Sequence, residues 1–185
     1  MKKIITLSLL ILVVAAVIAG CGSKAGPGVK VIDIQLTQEE YAFGVDKNQP
    51  ELLDEVNKFI AKIKSDGTFE NILNKYFGDG TPEPVTSATL DNSKDQLVVA
   101  TNASFEPFEY MMGDKYYGID MEIAKLLADH LGKELVISNM EFDAVCLSIG
   151  QSKADIAMSG LTIKEDERNM SISQINIMMP RKRLL

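Results

Sequence analysis

The feature that most constrains the fold of this 185-residue chain lies between residues 96 and 158, where short apolar runs alternate with helical periodicities. Residues 97–100, 135–137 and 156–158 are brief apolar runs of the kind that fill a strand buried on both faces. Between the first two, Ile119, Ile123, Leu126, Leu127 and Leu131 recur at helical spacing, and Gly132 marks the stop. Residues 142–150 give a shorter helix before the third run. Strand, helix, strand, helix, strand is the pattern of a parallel α/β sheet, because parallel neighbours need a crossover. In such sheets ligands sit outside the carboxyl ends of the strands, which points to residues 101–108 and 159–168. Residues 108–118 carry aromatics on both sides of Gly113-Asp114 and read as a hairpin.

Upstream lies a second set of elements. Tyr41–Val45 is a candidate strand. Pro50 suits a first helical position, and Leu52, Leu53, Val56, Phe59, Ile60 and Ile63 then follow at helical spacing up to Asp66-Gly67. Thr68 is the expected cap of a second helix with Phe69, Ile72, Leu73, Tyr76 and Phe77 on its apolar face and Gly78 as its stop. Residues 79–95, with two prolines and many small polar residues, read as a linker.

The first twenty residues have another character. Lys2 and Lys3 precede an apolar run from Ile4 to Ala19, broken only by Thr6 and Ser8, as in a signal peptide. Ile18-Ala19-Gly20-Cys21 resembles a bacterial lipobox, which makes Cys21 the expected site of lipid attachment. Residues 21–30 then read as a flexible tether. The alternative is an uncleaved signal anchor. The formal net charge of −7 argues against nucleic acid and against a polybasic membrane patch. Once Cys21 is modified, Cys146 has no disulfide partner in the count, and its apolar neighbours suggest a small buried hydrophobe. With one His and two Cys in the whole chain, neither a metal site nor any other cofactor is expected. His130, near the end of its helix, suits a solvated or dipole-complementing role.

The loops singled out by the α/β pattern carry specific motifs. VVATNASFEPFEY, then GDKYYGIDMEIAKLLADHLGKELVISNMEFDAV, then KADIAMSGLTIKEDER resemble the first half of the first lobe of polar-amino-acid ABC-transporter substrate-binding proteins, the family 3 extracellular solute-binding lipoproteins. The likeness covers residues 96–168. Residues 39–77 resemble the carboxyl-terminal segment of the same family, which there returns across the hinge and packs two helices onto the first lobe. Here that segment comes first. The resemblance therefore implies an α/β, periplasmic-binding-protein type II lobe: a single, circularly permuted first lobe with the second lobe missing. Its parts would be residues 31–80, a linker at 81–95, and the lobe's amino-terminal half at 96–168. The alternative is a duplicated tail fused upstream of an ordinary gene. Residues 169–185 lose the resemblance. Back-translated with permissive codons and read in a shifted frame, they yield the Asn-Phe-Ser-Asp-Lys-Tyr-Tyr type of run that the family carries next, so an out-of-frame tail and a truncated product are expected.

The resemblance also implies a site. A free amino acid offers a carboxylate, an ammonium and a side chain. Arg168 would pair bidentately with the carboxylate, together with Thr162 and the backbone around Ser159 and Gly160; the Thr162-to-Arg168 spacing is one residue longer than the family's, so a solvated arginine is the competing reading. Phe105 and Phe142 would wall the ligand side chain, or simply belong to the core. Asn102 stands where many relatives place an acid facing the ligand. Asp120 and Glu122 would stabilise a helix N-terminus, and Met111 and Met112 would form a flexible apolar surface. The implied function is capture of a free amino acid outside the cytoplasmic membrane for an ABC permease, with Cys21 held in membrane lipid and no enzymatic activity. Weak or absent binding is expected of a truncated lobe. An inert pseudogene remnant, or a fragment of a same-fold dehydratase or lytic transglycosylase-like enzyme, are the alternatives; no Gly-x-Ser-x-Gly or phosphate loop is present.

Overall fold

Eight strands and four helices are formed by residues 41–162 and 171–173, the residues that the computed structural model describes; all lie in one compact unit. The anchor at Cys21, the tether, Arg168 and most of the tail fall outside these described residues. The elements are β1 (Tyr41–Val45), α1 (Pro50–Ser65), α2 (Thr68–Phe77), β2 (Gln96–Thr101), β3 (Ser104–Phe105), β4 (Glu109–Met112), β5 (Lys115–Tyr117), α3 (Ile119–Leu131), β6 (Glu134–Asn139), α4 (Phe142–Gly150), β7 (Ile156–Thr162) and β8 (Ser171–Ser173).

The parallel sheet is present as β6-β2-β7, with Val99 opposite Ile137 on one side and Ile156 on the other. Its two faces are covered by different helices. Leu97 and Val99 join Ile123, Leu127 and Ile137 beneath α3. Ala100 joins Val145, Ile149 and Ala157 beneath α4, with Val98 packed against them. This double cover explains why β2 reads as an unbroken apolar run. The same sheet then accepts β1 in an antiparallel position between β7 and β8. β1 is buried along its whole length, with Phe43 and Val45 fully enclosed.

The upstream helices complete the same core. On α1, Val56, Phe59, Ile60 and Ile63 are buried at the expected helical spacing. On α2, Phe69 and Ile72 are buried, and Phe77 packs partly buried against the cluster that holds Val99 and Ile156. Thr68 is not the cap: Gly67, at φ 83°, occupies that position, and the Asp66 carboxylate accepts the Thr68 N–H at 3.0 Å. An aspartate turn thus does the work assigned to the threonine hydroxyl.

Residues 79–95 are docked rather than loose. Val85 is buried and exchanges both backbone hydrogen bonds with Tyr116, at 2.8 and 3.0 Å. Farther along, the Ser87 hydroxyl accepts the Ile137 N–H at 2.8 Å, and the Ala88 N–H donates to Leu135 at 2.8 Å. A polar cluster closes the junction. Glu122, on α3, accepts from Lys75 at 2.7 Å, from the Tyr76 hydroxyl at 2.8 Å and from the Glu83 N–H at 3.2 Å. Burial and the Glu122 charge push the Tyr76 hydroxyl well above the ordinary phenol range. Cys146 also departs from expectation: it is half-buried, because α4 turns Val145, Ser148 and Ile149 inward.

Candidate functional site

The carboxyl ends of β2 and β7 open into a cavity of about 320 Å³, lined by Asn102, Ser104, Phe105, Glu109, Phe142, Ser159 and Gly160. That volume is near the lower end for small-molecule sites. The position is the one α/β topology favours.

Its floor is made by an irregularity in β7. Between the Ala42–Leu161 pair and the Gly44–Ala157 pair, β7 spans more residues than β1, so residues 158–160 bulge out of register. Ser159 and Gly160 are the residues this re-aims. Gly160 adopts φ 51°, in the left-handed region, and a Cβ there would lie 2.8 Å from the Phe105 ring. Only glycine meets both conditions without strain. Ser159 is buried; its hydroxyl accepts the Asn102 N–H at 3.0 Å and donates to Glu109 Oε1 at 3.0 Å.

The walls are aromatic. Phe105 is 47% exposed and Phe142 54% exposed, both facing open space. They are therefore not core residues. Phe105 stacks on Phe108 with ring centres 5.2 Å apart, and Phe108 in turn meets Tyr41 at 4.4 Å. Phe142 sits at the first turn of α4. Asn102 lines the cavity, but its amide is engaged within the protein: Nδ2 donates to the Met140 carbonyl at 2.8 Å and Oδ1 accepts from the Ser104 hydroxyl. That ties the end of β2 to the start of α4.

Beneath the floor lie two buried acids. Glu109, on β4, and Asp120, in the first turn of α3, are each 1% exposed. Asp120 Oδ2 accepts the Gly160 N–H at 3.0 Å. Glu109 Oε2 and Asp120 Oδ1 are buried with no hydrogen-bond partner among the described residues. Burial raises both carboxyls above their ordinary range, and the charge of Asp120 raises Glu109 further. Asp120 and Glu122 do begin a helix, but their side chains point into the protein rather than into solvent at its N-terminus.

The cavity thus gathers Asn102, Phe105, Phe142, Ser159 and Gly160 from the residues that the motifs single out. Thr162 lies outside the lining, paired with Tyr41 near the end of β7. Arg168 lies outside the described residues. Glu109 and Ser104 escape sequence reasoning; Glu109 closes the Phe-Glu-Pro-Phe-Glu run, but an acid in a hairpin reads as solvated. Among the described residues no cluster of metal-ligating side chains occurs, and no helix is long and apolar enough to cross a membrane.

Comparison with known proteins gives the following relatives. The arginine-binding extracellular protein ArtP of Bacillus subtilis is 35% identical over 72 residues, 39% of this chain and 28% of ArtP. Cyclohexadienyl dehydratase of Pseudomonas aeruginosa is 31% identical over 80 residues, 43% of this chain and 30% of the enzyme. The crystal structure of the amino-acid ABC transporter substrate-binding protein AbpA of Streptococcus pneumoniae, bound to L-arginine, shares 44% identity over 41% of this chain and 34% of AbpA, with a TM-score of 0.39. The chain spans under a third of the length of the curated relatives it matches. The family model for bacterial extracellular solute-binding proteins, family 3, matches residues 3–79 and 97–183, running into the stretch assigned above to an out-of-frame tail. With most of its length matched and the motif residues gathered at one cavity, the chain belongs to the bacterial extracellular solute-binding proteins, family 3.

Proposed function

We propose that the protein captures a free amino acid outside the cytoplasmic membrane, as a Cys21-anchored lipoprotein serving an ABC permease. The observation that carries the reading is the cavity: two exposed aromatic walls over a floor of backbone and small polar groups, at the carboxyl ends of parallel strands. Aromatic faces suit aliphatic, planar and cationic side chains. Arg168 and Thr162 are the proposed partners of the ligand carboxylate. L-arginine is the first ligand to test, because ArtP is named as an arginine-binding protein. The core that unites β1, α1 and α2 with β2, β6 and β7 supports a permuted single lobe.

The described residues offer one wall of a cleft, and affinity follows from that. Phe105 and Phe142 contribute about 0.5–1 kcal/mol each through cation–π contact, and a water-exposed carboxylate pair about 0–1 kcal/mol. Immobilising the ligand costs several kcal/mol. The expected dissociation constant is about millimolar or weaker. Titration with L-arginine and the other amino acids, followed by isothermal calorimetry and amide NMR shifts, tests this. Shifts at Ser159, Gly160 and Asn102 at millimolar ligand support capture. No shift at about 100 mM with any amino acid overturns it and leaves the remnant reading. Turnover of a prephenate-like substrate would instead make the protein an enzyme like the dehydratase it resembles.

A further inference from the structure

The acids beneath the cavity floor are not explained by ligand contact. Glu109 borders the cavity, but its Oε2 and Asp120 Oδ1 are sealed from solvent and do not meet a ligand. Their other oxygens hold the floor: Glu109 Oε1 accepts from Ser159, and Asp120 Oδ2 accepts from Gly160. Ser159 passes the constraint on to the Asn102 N–H. The acids are themselves braced, since the Asp120 N–H donates to the Phe108 carbonyl at 2.9 Å and Phe108 carries the Phe105 wall. Wall and floor therefore meet at this pair.

We infer that Glu109 and Asp120 form a positioning pair that fixes the bulged Ser159 and Gly160 against Phe105 and so sets the shape of the cavity. Each carboxyl keeps one buried oxygen without a hydrogen-bond partner among the described residues, so the neutral acid is the less costly form to hold there. Ionising both places two like charges in one buried site, where each disfavours the other. Among the described residues, the charge that raises Glu109 is that of Asp120. Other titratable groups among the described residues of the surrounding elements have partners of their own. Lys75 and Tyr76 of α2, with Glu83, converge on Glu122. Tyr110 of β4 stacks on Tyr117 of β5, Tyr41 of β1 packs on Phe108, and His130 meets Phe59 at the far end of α3. Deprotonating the pair should therefore loosen the floor, and affinity should fall as pH rises.

The positioning does not depend on what the cavity binds; the effect on affinity rests on the amino-acid reading above. Both are measured on the full chain. In the ligand-free protein, side-chain carboxyl ¹³C shifts of Glu109 and Asp120 and the Gly160 amide shift are followed from pH 4 to 9. The expected result is that the Gly160 amide titrates with the pair, well above the ordinary carboxylate range, and that Glu109→Gln abolishes that titration while leaving the fold intact at pH 5. If Glu109→Gln fails to fold, Asp120→Asn serves as the second variant, and the wild-type titration decides alone. Two carboxyls fully ionised near pH 5, or a Gly160 amide indifferent to their titration, would overturn the proposal. With L-arginine as the probe, wild-type affinity should drop about tenfold or more between pH 5 and 9, while Glu109→Gln stays level. A Gly160 titration without any arginine binding would retain the pair and refute the ligand; arginine binding that is level with pH in the wild type would refute the claim that the pair sets the shape of the cavity.

Discussion

Replacing Phe59 by Ala tests whether the upstream segment is part of the domain or a passenger on it. Phe59 is 3% exposed, on the face of α1 that also buries Val56, Ile60 and Ile63. It belongs to the cluster that includes Val99 of β2 and Ile156 of β7. Truncating a buried phenylalanine in a packed core costs about 3–5 kcal/mol, from lost transfer energy and the cavity left behind. A domain of this size has about 5–15 kcal/mol in total, so the loss is roughly a third or more. The Phe59 ring also lies 5.3 Å from the His130 ring on α3. His130 is exposed, so His130→Ala alone should cost little, but the double mutant should reveal a coupling of about 0.5–1.5 kcal/mol. Urea unfolding at fixed pH reads these values from the midpoint at constant slope. A cost below about 1 kcal/mol for Phe59→Ala, or an unfolding curve in two steps with only the first affected, would refute a shared core.

Gly160→Ala should lower affinity for L-arginine by tenfold or more, because the new Cβ adds about 1–2 kcal/mol of left-handed strain and drives into the Phe105 ring 2.8 Å away; calorimetry checks this, with circular dichroism as the control for folding. Cys21→Ala should abolish fatty-acid labelling while the purified protein keeps its melting temperature; equal labelling of both forms would refute the lipobox. Stability should fall as pH rises from about 4 through neutrality. Burial raises Glu109 and Asp120, so the unfolded chain releases their protons first and gains relative to the folded state; thermal melts at pH 5 and pH 8 should show the decline, and Glu109→Gln should reduce it. The lowered carboxyls of Asp66, Asp91 and Glu134 act in the opposite sense but lie in solvent, where screening leaves them little weight.

The fold was legible where the chain repeats one period for long enough. β2, α3 and β6 follow from apolar runs and helical spacing, and the hairpin from Gly113-Asp114. The ends of elements were less so. β7 reads as three residues in the sequence because Ser159 and Gly160 interrupt its apolar run, yet it extends to Thr162. What prolongs it is pairing with β1, more than a hundred residues away, and no local pattern encodes that partner. Residues 79–95 fail for a related reason. Prolines and small polar residues correctly exclude regular structure, but not docking. Val85 and Ser87 lie against β5 and β6 because unpaired backbone groups there accept an extended neighbour.

The site divides along a physical line. Glycine and phenylalanine in a motif announce themselves, since few other roles need those side chains at those spacings. Carboxylates do not. Glu109, Asp120 and Glu122 are chemically indistinguishable, in sequence, from the acids that cover the surface of an acidic chain. Their burial comes from what converges on them: Ser159 and Gly160 on the first two, Lys75, Tyr76 and Glu83 on the third. Glu122 receives a compensating cation and is a structural clasp between α2 and α3. Among the described residues, Glu109 and Asp120 receive neutral donors, and each keeps an orphaned oxygen. An uncompensated acid is costly to bury, and the core offers many apolar replacements of similar size. Their location at the cavity floor, rather than at a helix junction like Glu122, is therefore the reason to assign them to the site.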